Sequence, residues 1–174
     1  DNPLSISVDS STEVEGEISI KVYQLNHGDT VPLSTLFPVL SNMGFDVRNE
    51  RHFEEQVGDH YYQMSEYRCV YQCVPMVALK SNREEIENTL VNILVNHAPN
   101  DRLNTLVSIS NLTAEEVLVL RACCEYLHQI QFALTQVRIF NFFIAYPSFA
   151  VSFVRLFQVK FQPKIVKRDS LYKK

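Results

Sequence analysis

The residues of this sequence that could ligate a metal, attack a carbonyl or move protons are five histidines, four cysteines and the carboxylates around them. His27, His52, His60, His97 and His128 lack the short, regular spacing that gathers ligands round one ion, and no Cys-x-x-Cys pair accompanies them. His52 and His60 bracket a polar stretch holding Glu54, Glu55 and Asp59, which reads as a solvated loop rather than a ligand cluster. Cys69, Cys73 and the adjacent pair Cys123 and Cys124 read as reduced packing thiols. Adjacent residues on a helix point in different directions, and two residues four apart on one strand lie roughly 13 Å apart, beyond disulfide reach. No Gly-x-Ser-x-Gly elbow is present. The only glycines are Gly16, Gly28, Gly44 and Gly58, so neither a dinucleotide fingerprint nor a phosphate loop can be written anywhere. No catalytic, metal-ligating or cofactor-binding residue is therefore expected in this chain.

One stretch could hold a small ligand. Asn26-His27-Gly28-Asp29-Thr30 joins a strand to a helix, where backbone N–H groups and the helix N-terminus suit a carboxylate. Asn26, Gly28, Asp29 and Thr30 form the candidate effector loop. The plainer alternative is a turn that uses Gly28 for a positive φ angle.

The elements that would position these groups change character midway. Leu4 to Val8 and Ile18 to Tyr23 alternate apolar and polar, the period of half-buried strands, with the acidic loop Asp9 to Gly16 between them. Ser34 can cap a helix carrying Leu36, Phe37, Val39, Leu40 and Met43, with Gly44 as its stop. Phe45 to Arg51 gives a third strand, and Tyr61 to Leu79, rich in Tyr, Val and Cys, gives at least one more. From Ser81 the period becomes helical. Ser81 with Glu84, and Thr113 with Glu116, each spell a capping box. The acidic run at Glu84, Glu85 and Glu87 reads as an exposed first turn favoured by the helix dipole. Asn111-Leu112-Thr113 also spells a glycosylation sequon, but the threonine reads better as a helix cap. Thr135 opens a further helix and Pro147 with Ser148 a last one, on which Phe149, Phe153, Phe157 and Phe161 recur every fourth residue. The class is α+β, with a boundary expected near residue 98: an α+β unit over 1–98 and a helical segment with a basic tail over 99–174.

The bulk composition agrees with a folded chain. Its 174 residues suffice to bury a core, and 46% hydrophobic with 21% charged residues is globular rather than disordered. A net charge of −4 argues against nucleic acid as a partner, and the basic end formed by Lys160, Lys164, Lys167, Arg168, Lys173 and Lys174 reads as solvated. Ile139 to Val154 is nearly all apolar but contains Asn141 and Pro147 and falls short of the roughly 20 residues a membrane helix needs, so no membrane span is expected. The chain opens on Asp1 with no signal-peptide pattern, which suggests a piece of something longer, and the reduced thiols fit a cytoplasmic protein. On the helix beginning near Ser148, Phe149, Phe153, Leu156, Phe157 and Phe161, with Ala150 and Val154, span an apolar arc of roughly 160°, more than a small domain covers. Phe142, Phe143, Phe149 and Phe153 are therefore the candidate interface.

A longer pattern runs through these segments. Ile20-Lys21-Val22-Tyr23 leads to Pro32-Leu33-Ser34-x-x-Phe37-Pro38-Val39-Leu40-Ser41-Asn42-Met43-Gly44-Phe45-Asp46-Val47. Later come Asn104-x-Leu106, Thr113-x-x-Glu116-Val117-x-x-Leu120-Arg121-Ala122, Tyr126-Leu127-x-Gln129, Tyr146-Pro147 and Leu156-Phe157-x-x-x-Phe161-x-Pro163. In order and spacing this resembles the large bacterial NAD-dependent glutamate dehydrogenases, in a region ahead of their catalytic domain. The resemblance implies an ACT-like unit, ferredoxin-like with helices on one face of an antiparallel sheet, followed by an all-helical extension. Leu4 to Val8 would supply a strand in place of the one expected after the second helix. It further implies a cytoplasmic parent oxidoreductase using NAD, with the remainder of that enzyme and a second copy as partners. The family's glutamate-binding lysines and nucleotide-binding glycines have no matching positions here. An amino-acid-binding sensor module and a free-standing scaffold are the alternatives.

Overall fold

The computed structural model describes residues 4–10, 17–25, 31–58, 60–71 and 81–161. Four strands, β1 (Leu4–Ser10), β2 (Glu17–Leu25), β3 (Phe45–Val57) and β4 (His60–Tyr71), form one antiparallel sheet in the order β1-β2-β4-β3. Helix α1 (Leu33–Asn42) joins β2 to β3, and α2 (Arg83–Asn96) follows β4. In a ferredoxin-like unit the chain runs β-α-β-β-α-β and its last strand lies beside its first. Here β2, α1, β3, β4 and α2 are the first five of those elements. β1, which precedes them, takes the sixth place with Ile6 opposite Val22. The permuted ACT-like arrangement expected from the sequence is the one found.

Period-two burial explains the sheet. Leu4, Ile6 and Val8, Ile18, Ile20 and Val22, and Tyr67 and Cys69 all turn to the helices and are buried. α1 packs over β3 and α2 over β1. Edge strand β1 is closed to further pairing by side chains: the Val8 N–H donates to the Glu87 carboxylate at 2.7 Å, and Arg83 ties Glu87 at 2.7 Å to Asp9 at 2.8 Å.

Three local expectations are corrected. The stretch between His52 and His60 is not a loop: β3 continues to Val57, paired with β4 as far as His60. Its positions on the helix side carry His52, Glu54 and Gln56, so the strand has no apolar alternation to betray it. α1 begins at Leu33 with Pro32 as its N-cap and no side-chain cap bond, so Ser34 lies inside the helix. α2 begins after Asn82 with no side-chain cap bond, and Ser81 instead donates to Asn111 at 3.4 Å. Asn82 is occupied elsewhere, its amide donating to the Val107 carbonyl at 2.6 Å. The Thr113 box does form, with Thr113 Oγ1 accepting from Glu116 N–H and the Glu116 carboxylate accepting from Thr113 N–H.

The helical half consists of a 3-10 turn (Arg102–Asn104), α3 (Thr105–Ile109), α4 (Ala114–Gln129), α5 (Gln136–Ala145) and α6 (Pro147–Phe161). All five residues of α3 are buried, so this short helix is the hub on which the longer ones pack. Besides the Ser81 and Asn82 bonds, the helical half is fastened to the sheet unit where Thr105 Oγ1 donates to the Asn42 carbonyl at 2.8 Å, Asn42 to Asn100 at 3.0 Å, and the Ala114 N–H to Glu85 at 2.8 Å. Gly44 sits at this seam with φ +88°, and a Cβ there would stand 3.2 Å from the Thr105 methyl. The buried apolar residues of both halves form one continuous cluster.

Candidate functional site

The residues shared with the resemblance divide into packing and fastening roles. Leu106, Val117 and Leu120 are wholly buried. Arg121 donates through Nε and Nη2 to Asp101 at 2.6 and 3.1 Å and through Nη2 to Asn104 at 3.0 Å. Asn104, itself buried, donates onward to the Pro99 carbonyl at 3.0 Å. Asp101 also accepts from the Leu103 N–H at 2.9 Å, which starts the 3-10 turn. This network satisfies every group it buries and holds the entry to the helical half, so its ion pair is structural.

A second polar network runs along the β3–β4 hairpin. His52 meets Ser65 at 2.9 Å through one ring nitrogen and Glu54 at 2.9 Å through the other, while Gln63 donates to Glu54 at 3.2 Å. The Tyr61 phenol also donates to Glu54. That phenol and then His52 hold the Glu54 carboxyl below its ordinary range, and the carboxylate in turn pushes the Tyr61 phenol up. These bonds stitch one strand to the next on a solvated surface, and no apolar wall encloses them. Among the described residues, no three His, Cys, Asp or Glu side chains are grouped to hold a metal ion. Cys69, Cys123 and Cys124 are free thiols, and Cys73 lies outside the described residues. So does the candidate effector loop, Asn26, Gly28, Asp29 and Thr30.

The surface that stands out is aromatic. α5 and α6 meet at a bend of 104°, and no single helix among the described residues is long and apolar enough to cross a membrane. Around the bend Phe142 packs on Tyr146 and Phe149 with ring centroids 5.1 and 5.3 Å apart, and Phe143 stacks on Phe149 at 6.2 Å and touches Phe153 at 6.1 Å. The four candidate interface residues are therefore brought together, but they differ in exposure. Phe143 is buried at 4% and Phe153 partly buried, whereas Phe142 and Phe149 remain 44% and 49% exposed. α6 buries the small Ala150 and Val154 and turns Phe149, Leu156, Phe157 and Phe161 outward. At the connection between α4 and α5 lies an open groove of about 510 Å³ lined by His128, Phe132, Leu134 and Val137, which the sequence reading did not single out.

A permuted β-β-α-β-β-α sheet unit with a helical annex, rich in packing residues and uncovered aromatics, defines an ACT-like α+β segment. The family models agree, one for the glutamate dehydrogenase ACT3 domain matching residues 4–64 and one for glutamate dehydrogenase helical motif 3 matching residues 98–163. The chain belongs to the large NAD-dependent glutamate dehydrogenase family and spans its ACT3 and helical motif 3 regions. NAD-specific glutamate dehydrogenase of Halomonas elongata is 30% identical over 162 residues, which is 92% of this chain and 10% of that protein. The Pseudomonas aeruginosa protein of the same name is 31% identical over 150 residues, 84% of this chain and 9% of its own length. That of Mycobacterium tuberculosis is 28% identical over 142 residues, 78% of this chain. The chain thus spans about a tenth of the length of the curated relatives it matches.

Proposed function

We propose that this chain is a non-catalytic regulatory and oligomerisation segment of a cytoplasmic enzyme that oxidises glutamate to 2-oxoglutarate, releasing ammonia and reducing NAD. Chemistry and cofactor belong to other parts of that longer polypeptide, and residues 1–98 and 99–174 serve as its ACT-like and helical units. The observation that carries this reading is the aromatic face around the α5–α6 bend. A folded segment with no use for that face would lose free energy by leaving it wet: half-exposing two phenylalanines forgoes on the order of 5 kcal/mol at about 25 cal/mol per Å² of apolar surface, taking about 200 Å² for each phenylalanine. Contact with the remainder of the enzyme or a second copy recovers that loss.

An amino-acid sensor is the second reading. The ACT-like topology favours it, because residues 26–30 fall between the end of β2 and the start of α1. Two measurements on the purified 174-residue chain separate the readings. Calorimetry is expected to show no NAD binding, and micromolar binding would overturn the non-catalytic assignment. Stoichiometric binding of a free amino acid would establish the sensor reading in its place. In the longer enzyme, Phe142→Asp with Phe149→Asp is expected to weaken assembly, and unchanged assembly would remove the architectural role.

A further inference from the structure

We infer that the outward face of α6 seats an amphipathic helix that carries acidic residues beside its apolar stripe and comes from the part of the longer enzyme outside this chain. The inference rests on the architectural reading above and specifies the chemistry of the partner.

The spacing of the face is the first argument. Tyr146, Phe149, Phe153, Leu156 and Lys160 follow one another at intervals of three, four, three and four residues, the seam along which one helix packs on another. At 1.5 Å per residue this seam is roughly 22 Å long, about four turns of a partner helix. Phe157 and Phe161 widen it on one side, their rings 4.6 Å apart. Together with Phe142, the exposed part of this face amounts to roughly 600 Å², taking about 200 Å² for each aromatic. That equals the largest apolar patch a monomer normally shows and approaches the roughly 800 Å² that one side of a stable interface buries.

Charge then selects the occupant. The chain carries a net −4, yet no aspartate or glutamate occurs from Tyr126 to Phe161, where Arg138, Arg155 and Lys160 are found. Lys160 continues the seam and lies 5.6 Å from the Phe161 ring centroid. At about 100° per residue, Arg155 falls on the opposite flank of α6. Pairing this face with itself would bring aromatic and cation to aromatic and cation, with nothing in the stretch to meet Lys160. A membrane surface is the poorer match too, because interfacial helices line their polar flank with several cations, whereas Ser148, Ser152 and Arg155 make up this one. A helix offering both an apolar stripe and a carboxylate near Lys160 satisfies all three observations.

The test places the photo-crosslinker p-benzoylphenylalanine at position 156 of the full-length enzyme. The expected adduct lies outside this segment, on an apolar residue of a helix with an acidic residue within one turn. Lys160→Glu is expected to lower its yield at least tenfold and Arg155→Glu to leave it within twofold, while circular dichroism of each variant stays as in the parent. An adduct within residues 1–174 of a second copy would overturn the choice of partner and leave the architectural reading standing. Equal yields from the two charge variants would overturn the role of Lys160. Sedimentation of the enzyme with phosphatidylserine vesicles, lost on Lys160→Glu, would assign the face to a membrane instead. Absence of any adduct would count against the inference and the architectural reading together.

Discussion

Replacing Gly44 by alanine tests how the sheet unit is joined to the helical half. Gly44 adopts φ +88°, in the left-handed region that costs an L-residue about 1–2 kcal/mol. Its added Cβ would also stand 3.2 Å from the Thr105 methyl, closer than comfortable contact, which adds about 0.5–1 kcal/mol unless the hub helix shifts. The expected loss is thus about 2 kcal/mol, or roughly 4–8 °C in Tm for a chain of this length. Thr105→Ser removes the crowding methyl but keeps the hydroxyl that donates to the Asn42 carbonyl. In a double-mutant cycle, Gly44→Ala with Thr105→Ser should therefore be about 0.5–1 kcal/mol more stable than the sum of the single changes. Urea unfolding of the four proteins measures both quantities. A Gly44→Ala chain as stable as the parent would refute the conformational argument, and strict additivity would refute the contact at the seam.

Arg121→Met should cost about 2–3 kcal/mol in the same assay, because it strands the Asp101 carboxylate and the buried Asn104 carbonyl oxygen, and Arg121→Lys should recover less than half because it cannot reproduce the forked contact. Thr113→Ala should cost about 1 kcal/mol through loss of the α4 cap, while Ser81→Ala, whose predicted box does not form around α2, should cost less. Burial pushes the Cys69 and Cys124 thiols from the ordinary 9.0 up to about 12. A raised folded value means their contribution is complete below pH 9 and is lost as pH rises from 9 toward 12. At about 1.4 kcal/mol per pH unit for each thiol, unfolding free energy should fall by on the order of 3 kcal/mol between pH 8 and pH 10, and Cys69→Ala with Cys124→Ala should remove most of that slope.

The parts of this fold legible in the sequence are those where one face is buried and the other wet. β1 and β2 announce themselves by alternation, because Ile6, Val8, Ile18 and Ile20 enter the core while Ser7 and Ser19 stay on the other face. α1 is equally plain from Leu36, Val39 and Leu40 with Gly44 behind them. The far half of β3 is illegible for the opposite reason: His52 and Glu54 lie on the helix side, where side chains of β4 rather than apolar neighbours receive them. α3 is missed because a helix buried on every side has no period, and Leu106, Val107 and Ile109 read as a plain apolar run. The capping box at Ser81 shows the limit of local rules, since Asn82 lies nearer the helix start and gives its amide to the Val107 carbonyl of α3. The aromatic site is legible as a surplus of apolar residues, but its division is not. Which phenylalanines turn inward depends on the 104° bend, where α6 presents Ala150 and Val154 to the core and so leaves its larger rings outside. The resemblance locates Asn104 and Arg121 as a pattern, and only the packed structure gives them their task.

Hydroxyl-radical footprinting of the 174-residue chain and of the full-length enzyme under identical dose tests the central claim most directly. Tyr146, Phe149, Leu156 and Phe161 are exposed in the chain by itself, at 59%, 49%, 52% and 58%. If this segment is an architectural piece, their oxidation should fall severalfold in the full-length enzyme, while the exposed Phe53 on the β3–β4 hairpin serves as the internal reference. Equal oxidation of the α6 residues in both proteins would contradict the account.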